Sequence, residues 1–456
     1  MNINTQVVRN CQPAVFKPYP LKMEKARKKV SFYTLGCKLN FTETSTIARS
    51  FPEDRYEVVK PGTKADIYVI NTCSVTDIAD RKCRQAIKKF NHQSPDAVIA
   101  VVGCYAQLNP DEISSIPGVD IVLGTNEKYN LISFLGNSRK RELPEVHSCE
   151  LSDKDNFFPS FSAGDRTRSF LKVQDGCDYK CTYCTIPLAR GKSRNQDIAS
   201  IVKEAELIAR EGTKEIVLTG VNIGDFGKST GESFPDLLRK LTVVEGIERY
   251  RISSIEPNLL TDEIIEIAAR SPKILPHFHI PLQSGSDKVL KMMRRRYRRE
   301  KFENRITMIR RLMPLAGIGA DVIVGFPGET DDDFADTYSF LEKTPLSYLH
   351  VFNFSERPGT PAQKMPGKVP FKIREERSRN LINLSERKHA EFGLQNTGTT
   401  AEVLFEHSRS NGMISGFTEN YLRTELPWDP GLAGAIRRVR LTGISGSGKM
   451  TSELID

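Results

Sequence analysis

The chain has 456 residues and a formal net charge of +9, so it exceeds one domain of roughly 100–200 residues and its charge favours a polyanionic partner. No stretch reaches the roughly 18 unbroken apolar residues that cross a bilayer, which excludes a membrane span and favours a cytoplasmic protein. Nine cysteines without a recognisable signal peptide predict reduced thiols that act as metal ligands or catalysts, rather than a disulfide scaffold.

The first part of the chain predicts a parallel-sheet domain behind a polar extension. Residues 1–29 are polar and end in a basic stretch, which predicts a flexible extension. Residues 30–145 alternate short apolar runs such as "ADIYVI" and "AVIAVV" with amphipathic segments, as expected for an α/β domain with a buried parallel sheet. Residues 146–164 are rich in Ser, Asp and Pro without a sustained period, and therefore predict a linker.

Two further domains are predicted after this linker. Residues 165–392 contain six strand-like runs separated by helical segments, which predicts a partial (β/α)6 barrel rather than the usual eight-stranded form. Residues 393–456 change to short strands with turns and no helix. This texture predicts a small all-β barrel of the OB-like type.

Three closely spaced cysteines follow the first predicted barrel strand. The segment "CDYKCTYC", residues 177–184, lies at the carboxyl end of that strand, where barrels of this type build their active sites. No cysteine follows Cys184, so no second pair is present downstream to complete a four-thiolate zinc site. Three thiolates on a 4Fe-4S cluster leave one iron open to another ligand. The spacing therefore predicts such a cluster, held by Cys177, Cys181 and Cys184.

Three more cysteines each follow a separate predicted strand of the first domain. They come after "VSFYTLG", "IYVINT" and "VIAVVG", and the carboxyl ends of parallel strands share one edge of a sheet. These thiolates are predicted to hold a second cluster that is again one ligand short: Cys37, Cys73 and Cys104. The other cysteines are predicted to be buried thiols without a ligand role: Cys11, Cys83 and Cys149.

Two other polar features leave more than one interpretation. His277 and His279 alternate along a predicted strand and are expected to pack or form hydrogen bonds rather than bind metal. From Lys291 to Arg311 there are ten Lys or Arg residues against two Glu. This basic run either follows a phosphate backbone or is an ordinary solvated helix face.

At "CDYKCTYC" the chain resembles the radical S-adenosylmethionine enzymes, whose hallmark is C-x-x-x-C-x-x-C with an aromatic residue, here Tyr183, before the last cysteine. The longer segment "GCDYKCTYCTIPLARGKSR", the upstream cysteines and the final β module are similar to the methylthiotransferases. These enzymes have an N-terminal cluster domain, a radical barrel and a C-terminal TRAM domain. The resemblance covers nearly the whole chain from residue 30.

This resemblance implies two 4Fe-4S clusters and S-adenosylmethionine as cofactors. The cluster in the barrel would bind the amino and carboxylate groups of S-adenosylmethionine and cleave it to a 5′-deoxyadenosyl radical. The other cluster would hold sulfur, receive a methyl group and deliver methylthio to the substrate. Further positions match the family's cofactor pocket, although each is also explained by a turn or a structural hydrogen bond: Tyr183, Gly220, Asn222, Ser254, Glu256, Gln283 and Arg295.

The segment "GCKLNFTETS" looks most like the branch that modifies carbon 2 of N6-threonylcarbamoyladenosine at position 37 of tRNA. The implied partners are the tRNA anticodon stem-loop, an external electron donor and a sulfur source. Enzymes for isopentenyladenosine or for a ribosomal-protein aspartate remain alternatives within the family. A non-catalytic iron-sulfur protein that binds RNA or acts as a sensor remains an alternative of a different class.

Overall fold

The computed structural model describes residues 27–151, 156–164 and 166–455. Nearly all of the predicted extension, residues 1–29, lies outside these ranges. The chain divides into two compact units. Of the described residues, the first unit comprises 27–151, 156–162, 175–179 and 184–194, and the second comprises 163–164, 166–174, 180–183 and 195–455. In the described part of the chain, no helix is both long enough and apolar enough to cross a membrane.

The first unit is built on a six-stranded sheet with all pairs parallel, in the order β2-β1-β3-β4-β5-β6. Its strands are β1 Lys28–Thr34, β2 Tyr56–Val59, β3 Ile67–Thr72, β4 Val98–Gly103, β5 Ile121–Leu123 and β6 Glu145–His147. Its helices are α1 Lys38–Arg49, α2 Asp77–Gln93, α3 Cys104–Leu108, α4 Pro110–Ser114, α5 Leu131–Leu135 and α6 Ile186–Arg190, with a 3-10 turn at Glu127–Asn130. This arrangement confirms the predicted parallel α/β sheet.

The central strands explain why the sequence shows continuous apolar runs instead of alternation. Every residue of β3 and β4 is buried. Successive side chains of a strand point to opposite faces, and Tyr68 and Ile70 join one core cluster while Ile67 and Val69 join the other. Helices cover both faces of the sheet, so both sets of side chains must be apolar.

The second unit contains a six-stranded parallel barrel arranged in chain order. Its strands are β7 Ser169–Lys172, β8 Glu215–Thr219, β9 Arg249–Ile252, β10 His277–His279, β11 Gly317–Val324 and β12 Tyr348–Asn353. They form two three-stranded parallel sheets. Isolated β-bridges between Tyr250 and Ile274 and between Ser254 and His279 connect the two sheets. The predicted partial (β/α)6 barrel is therefore confirmed. Its helices are α7 Ile198–Arg210, α8 Phe234–Thr242, α9 Asp262–Arg270, α10 Asp287–Met292, α11 Arg299–Leu312, α12 Asp331–Lys343 and α13 Phe371–Asn396, with 3-10 turns at Ile223–Asp225 and Pro361–Lys364.

The end of the second unit is a closed five-stranded barrel in the order β13-β14-β15-β17-β16. Its strands are β13 Thr400–Ser410, β14 Met413–Thr418, β15 Arg423–Pro427, β16 Ile436–Ile444 and β17 Met450–Leu454, with a 3-10 turn at Pro430–Leu432. Irregular pairing in β13 and β16 bends these strands, as closure of a small barrel requires. The assignment of this barrel as a TRAM domain remains a prediction.

Candidate functional site

The structure brings Cys37, Cys73 and Cys104 together at one edge of the first sheet. They follow the neighbouring parallel strands β1, β3 and β4: Cys37 is the N-cap residue of α1, Cys73 comes directly after β3, and Cys104 begins α3. All three are free thiols, with Cys37 exposed and the other two buried. They are close enough that Cys37 and Cys104 both contribute to raising the pKa of Cys73.

Two glycines allow the backbone to close tightly beside these cysteines. Gly36 precedes Cys37 with a φ of +103°, and a Cβ atom there would lie 2.5 Å from the Cβ atom of Cys73. Gly103 precedes Cys104 with a φ of +98°, and its Cβ atom would lie 2.5 Å from Oδ1 of Asn71. A residue with a side chain would be strained at both positions and would also collide with its neighbours. The turns into Cys37 and Cys104 therefore depend on glycine.

Burial favours the protonated state of the Cys73 and Cys104 thiols. It raises the pKa of Cys73 to about 12, with a further contribution from Cys37 and Cys104, and it also raises the pKa of Cys104. Arg190 and Lys128 act in the opposite direction on the pKa of Cys104. Iron is bound by thiolates, so metal binding at this edge must displace protons. Three convergent free thiols with cations beside them fit an iron-sulfur cluster.

A buried group of charged residues surrounds Arg190, which sequence reasoning did not single out. Arg190 ends α6, and its guanidinium donates to Oε1 of Glu43 at 2.8 Å and to Oδ1 of Asp175 at 3.1 Å. Lys128 Nζ lies 2.7 Å from Oε2 of Glu43, and both of those side chains are completely buried. The segment "IPLARG" contains this arginine, but nothing in its local pattern shows that the side chain is buried.

Asn40 connects this charged group to the cysteine loops. Its Oδ1 accepts a hydrogen bond from Arg190 at 2.8 Å. Its Nδ2 donates to the carbonyl oxygens of Leu35 at 2.7 Å and Thr72 at 2.9 Å, and Thr72 immediately precedes Cys73. The thiol of Cys37 lies 3.8 Å from Oδ1 of Asn40. One amide therefore fixes the turns before two of the three cysteines.

Each cysteine of the "CDYKCTYC" motif accepts a hydrogen bond at sulfur. Cys177 accepts from the backbone N–H of Tyr179 at 3.4 Å, and Cys184 accepts from the N–H of Ile186 at 3.5 Å. Cys181 accepts from Nη1 of Arg295 at 3.1 Å. Burial raises the pKa of Cys181, while Arg295 opposes this shift. Hydrogen bonds to sulfur stabilise thiolate and tune iron-sulfur clusters, so these three cysteines also fit such a group.

Arg295 is the centre of a polar group in the barrel. Its side chain is buried and forms an ion pair with Glu256. It also donates to the hydroxyl oxygens of Tyr183 at 3.4 Å and Tyr297 at 3.1 Å. Burial raises the pKa of Glu256, and Arg295 acts against that shift. Three of the residues matched to the cofactor pocket are therefore in contact: Tyr183, Glu256 and Arg295.

Gly220 and Asn222 belong to the turn after β8. A Cβ atom on Gly220 would lie 2.9 Å from the carbonyl oxygen of Gln174, so the backbone passes unusually close at this point. The N–H of Asn222 donates to Oε1 of Gln174 at 2.7 Å, and its Nδ2 donates to Asp225 at 2.8 Å. The backbone N–H and the Nδ2 of Asn222 thus take part in structural hydrogen bonds.

The two remaining matched positions lie after β9 and β10. Ser254 is exposed. Gln283 has a left-handed backbone with a φ of +71°, which is uncommon for a residue other than glycine. Its N–H donates to the carbonyl oxygen of Asp321 at 2.8 Å, and its own carbonyl oxygen accepts from Ile323 at 2.9 Å. These bonds with β11 hold the strained residue in place.

A chain of hydrogen bonds across β10, β11 and β12 was not anticipated. Tyr348 Oη lies 2.8 Å from Nε2 of His277 and 3.3 Å from Nδ1 of His279. His279 Nε2 lies 2.8 Å from Oδ1 of Asp321, and Nδ1 of His350 lies 3.3 Å from the same oxygen. Although burial opposes it, His279 and His350 hold the pKa of Asp321 well below its usual range. The prediction that His277 and His279 form hydrogen bonds is confirmed.

The cysteines outside both triads give mixed results. Cys83 is a fully buried free thiol, as predicted. Cys149 takes part in a disulfide, so the prediction of a reduced buried thiol was wrong at that position. Disulfide formation depends on the distance and orientation of two Cα–Cβ bonds, which the sequence does not show. Cys11 lies outside the described residues.

Comparison with known proteins connects both groups of cysteines to one family. Residues 171–341 match the radical SAM superfamily, and residues 29–124 match UPF0004, an uncharacterized protein family. The "Threonylcarbamoyladenosine tRNA methylthiotransferase MtaB" of Bacillus subtilis is 42% identical over 423 residues, covering 90% of this chain and 93% of that protein. Its namesake from Aquifex aeolicus is 41% identical, covering 86% of this chain and 95% of its own. The chain belongs to the radical SAM tRNA methylthiotransferase family.

Members of this methylthiotransferase family with a different named product are also similar to the chain. The "tRNA-2-methylthio-N(6)-dimethylallyladenosine synthase" of Syntrophotalea carbinolica is 34% identical, covering 90% of this chain and 97% of that protein. Among solved structures, the radical S-adenosylmethionine methyltransferase TsrM from Kitasatospora setae matches with a TM-score of 0.54 at 13% identity, covering 85% of this chain and 77% of that chain. This last likeness shows the fold alone.

The two family matches divide the methylthiotransferase chain in the same way as the cysteines. The UPF0004 match contains β2 to β5, all of β1 except its first residue, and Cys37, Cys73 and Cys104. The radical SAM match contains β8 to β11, the "CDYKCTYC" motif and Arg295. The matched regions therefore each contain one group of three cysteines.

Proposed function

We propose that this methylthiotransferase replaces the hydrogen at carbon 2 of N6-threonylcarbamoyladenosine in tRNA with a methylthio group. The observation that carries the proposal is the convergence of three free thiols at one sheet edge, in a chain that also contains the radical SAM motif. Relatives named for this product are 42% and 41% identical over most of the chain. A protein that used a single cluster, either to cleave S-adenosylmethionine or to act as a sensor, would not require the second group of three thiols.

We assign the six cysteines as ligands of two 4Fe-4S clusters. When bound, the cluster at Cys177, Cys181 and Cys184 supplies the electron that cleaves S-adenosylmethionine, and the other supplies sulfur. Around Cys177, Cys181 and Cys184, the N–H donors at sulfur and the Arg295 guanidinium stabilise thiolate. In the group of Cys37, Cys73 and Cys104, the exposed Cys37 leaves one side of the three thiols accessible from solvent.

The Arg295 group is suited to the methionyl end of S-adenosylmethionine. Arg295 and Glu256 place a cation beside an anion, which complements the carboxylate and amino groups of an amino acid. Tyr183 shares Arg295 and packs edge-on against Phe326. We assign the remaining cofactor contacts to residues after β8, β9 and β10: Gly220, Asn222, Ser254 and Gln283.

We further propose the domain limits that the sequence predicted. These are a methylthiotransferase cluster domain at 30–145, a linker at 146–164, a radical SAM domain at 165–392 and a TRAM domain at 393–456. The anticodon stem-loop of tRNA is the macromolecular partner. The reaction also requires an external low-potential electron donor and a source of sulfur.

Mass spectrometry of nucleosides from bulk tRNA tests the proposal, comparing cells with and without the gene. We expect loss of 2-methylthio-N6-threonylcarbamoyladenosine and accumulation of its unthiolated precursor. Re-expression of the wild-type chain or of Cys83→Ala should restore the product, whereas Cys73→Ala should not. Both cysteines are buried free thiols, so the pair separates ligand loss from general damage.

A second candidate substrate is isopentenyladenosine in tRNA, because a relative named for the dimethylallyl product is 34% identical over 90% of this chain. Loss of the methylthio-isopentenyl nucleoside in the same experiment, with the threonylcarbamoyl nucleoside intact, would select this substrate. If both nucleosides are unchanged, the proposal that this chain methylthiolates tRNA is wrong.

A further inference from the structure

Four ionisable side chains are buried together beside the group of Cys37, Cys73 and Cys104. Glu43 and Lys128 are 0% exposed, Arg190 is 1% exposed and Asp175 is 3% exposed. We call these four residues the Arg190 network. Burying ion pairs carries a desolvation penalty that their attraction often fails to recover, so such a group is weak evidence for a purely stabilising role. Its position is therefore informative.

The Arg190 network is in direct hydrogen-bond connection with the cysteine loops. Arg190 donates to Asn40 at 2.8 Å, and Asn40 donates to the carbonyl oxygen of Thr72, the residue before Cys73, at 2.9 Å. The thiol of Cys37 contacts the same Asn40 oxygen at 3.8 Å. The network is thus joined through Asn40 to the residue before Cys73 and to the thiol of Cys37.

The same network is tied to the radical SAM motif through a short segment of the first unit. Helix α6 begins two residues after Cys184 and ends at Arg190. Thr185 donates to the carbonyl oxygen of Ser74 at 3.3 Å, next to Cys73, and Thr125 donates to that of Ala189 at 2.6 Å. The segment that contains Cys184 is therefore fixed against the loops of the other cysteines.

We propose that the Arg190 network sets the reduction potential of the cluster at Cys37, Cys73 and Cys104, with Arg190 as a positioning residue. The inference rests on the proposed function, because it requires that a cluster binds there. Accepting an electron adds negative charge to a cluster, and a nearby cation favours the more negative state. Arg190 should therefore raise the potential, and Glu43 should lower it.

The test uses the full-length chain with Cys177→Ala, Cys181→Ala and Cys184→Ala as the parent. Only the cluster at Cys37, Cys73 and Cys104 then contributes to the redox signal. Anaerobic redox titration followed by electron paramagnetic resonance gives its midpoint potential. We expect Glu43→Gln to raise the potential and Arg190→Gln to lower it. Each change should alter the equilibrium constant for reduction about tenfold, equivalent to about 59 mV for one electron.

Two further variants separate charge from packing. Arg190→Lys retains the cation and should stay close to the parent potential. Arg81→Gln removes an exposed arginine of the same unit, paired with Asp77 at the surface, and should change nothing. A purely structural role would disturb the cluster in both Glu43→Gln and Arg190→Gln, and would not shift the potential in opposite directions.

The outcomes distinguish the inference from the proposed function. A parent chain without iron overturns the second-cluster assignment and, with it, this inference. A parent chain with an intact cluster whose potential does not respond, or responds in the same direction to both charge changes, overturns the inference alone. If Arg190→Gln does not fold, Glu43→Gln against Arg190→Lys decides, since Gln retains the shape of Glu43 and removes only its charge.

Discussion

Cys73 and Cys83 are both buried free thiols in the first unit, but their neighbours give them different chemistry. Cys83 lies on α2 within the apolar cluster that contains Tyr68 and Ile87. Cys73 lies at a strand end, where the thiols of Cys37 and Cys104 influence its pKa. Residue type and burial alone therefore do not distinguish the two cysteines, whereas their positions relative to the strand ends do.

This difference predicts separable effects on iron and on catalysis. Cys73→Ala should lose the iron of one cluster, still release 5′-deoxyadenosine from S-adenosylmethionine, and form no methylthio product. Cys181→Ala should release no 5′-deoxyadenosine, because it removes a ligand of the other cluster. The measurements are iron per chain and chromatography of both products, with Cys83→Ala as the unaffected control. Full methylthiolation by Cys73→Ala would contradict the assignment.

Gly36 provides a second prediction, because the space beside it is already filled. A Cβ atom there would lie 2.5 Å from Cys73 in a left-handed backbone, whereas Gly62 has a φ of +91° with nothing within 4 Å. Gly62→Ala should cost about 1–3 kcal/mol in the free energy of unfolding from backbone strain alone. Gly36→Ala should cost more and also lose iron from the cluster at Cys73. Urea unfolding and iron analysis of the two variants test this; equal costs would show that the collision is relieved without penalty.

At the level of elements, the sequence was informative wherever local pattern decides structure. Continuous apolar runs identified β3 and β4, and the ends of β1, β3 and β4 located Cys37, Cys73 and Cys104. The Arg190 network was not predictable, because Arg190 and its partner Glu43 are 147 residues apart and neither has a local signal of burial. The basic run also misleads when read locally, since Arg295 binds Glu256, and Arg310 donates to backbone carbonyls at Pro314 and Pro345.

The histidine chain depends on strand register, which the sequence also does not show. Tyr348 on β12 reaches His277 and His279 on β10 by crossing the intervening strand at Gly319, where a Cβ atom would lie 2.2 Å from its ring. One small residue on β11 therefore permits a contact between two strands that are not neighbours in the sheet.

Removing the hydroxyl of Tyr348 should weaken the barrel. Tyr348→Phe leaves His277 and His279 without their shared partner, and an unsatisfied buried polar group costs about 1–3 kcal/mol. The measurement is urea unfolding followed by circular dichroism. Tyr338→Phe is the matched control, because its hydroxyl accepts from exposed Arg387 on the surface and its loss should cost little. Equal stabilities of the two variants would show that the buried histidines find other partners.

At the scale of the whole molecule, the basic residues of the final barrel are concentrated on one strand instead of being spread over the barrel. Residues 393–456 contain six basic and seven acidic residues, yet Arg437, Arg438 and Arg440 follow one another along β16. Arg438 and Arg440 are exposed and two positions apart, so they project from the same face of the strand. Two cations on one face can contact successive phosphates of an RNA backbone.

This placement predicts that the final barrel contributes to tRNA affinity through charge. Arg438→Gln combined with Arg440→Gln should weaken tRNA binding at moderate salt and lower the slope of log affinity against log salt by about one for each phosphate that is no longer neutralised. Release of 5′-deoxyadenosine should be unchanged, since neither residue belongs to the cofactor sites. Arg270→Gln, which removes an exposed arginine on α9, is the control and should retain the full slope. If the double variant keeps both the affinity and the salt slope of the wild type, RNA is bound by another surface, and this barrel does not neutralise the phosphates.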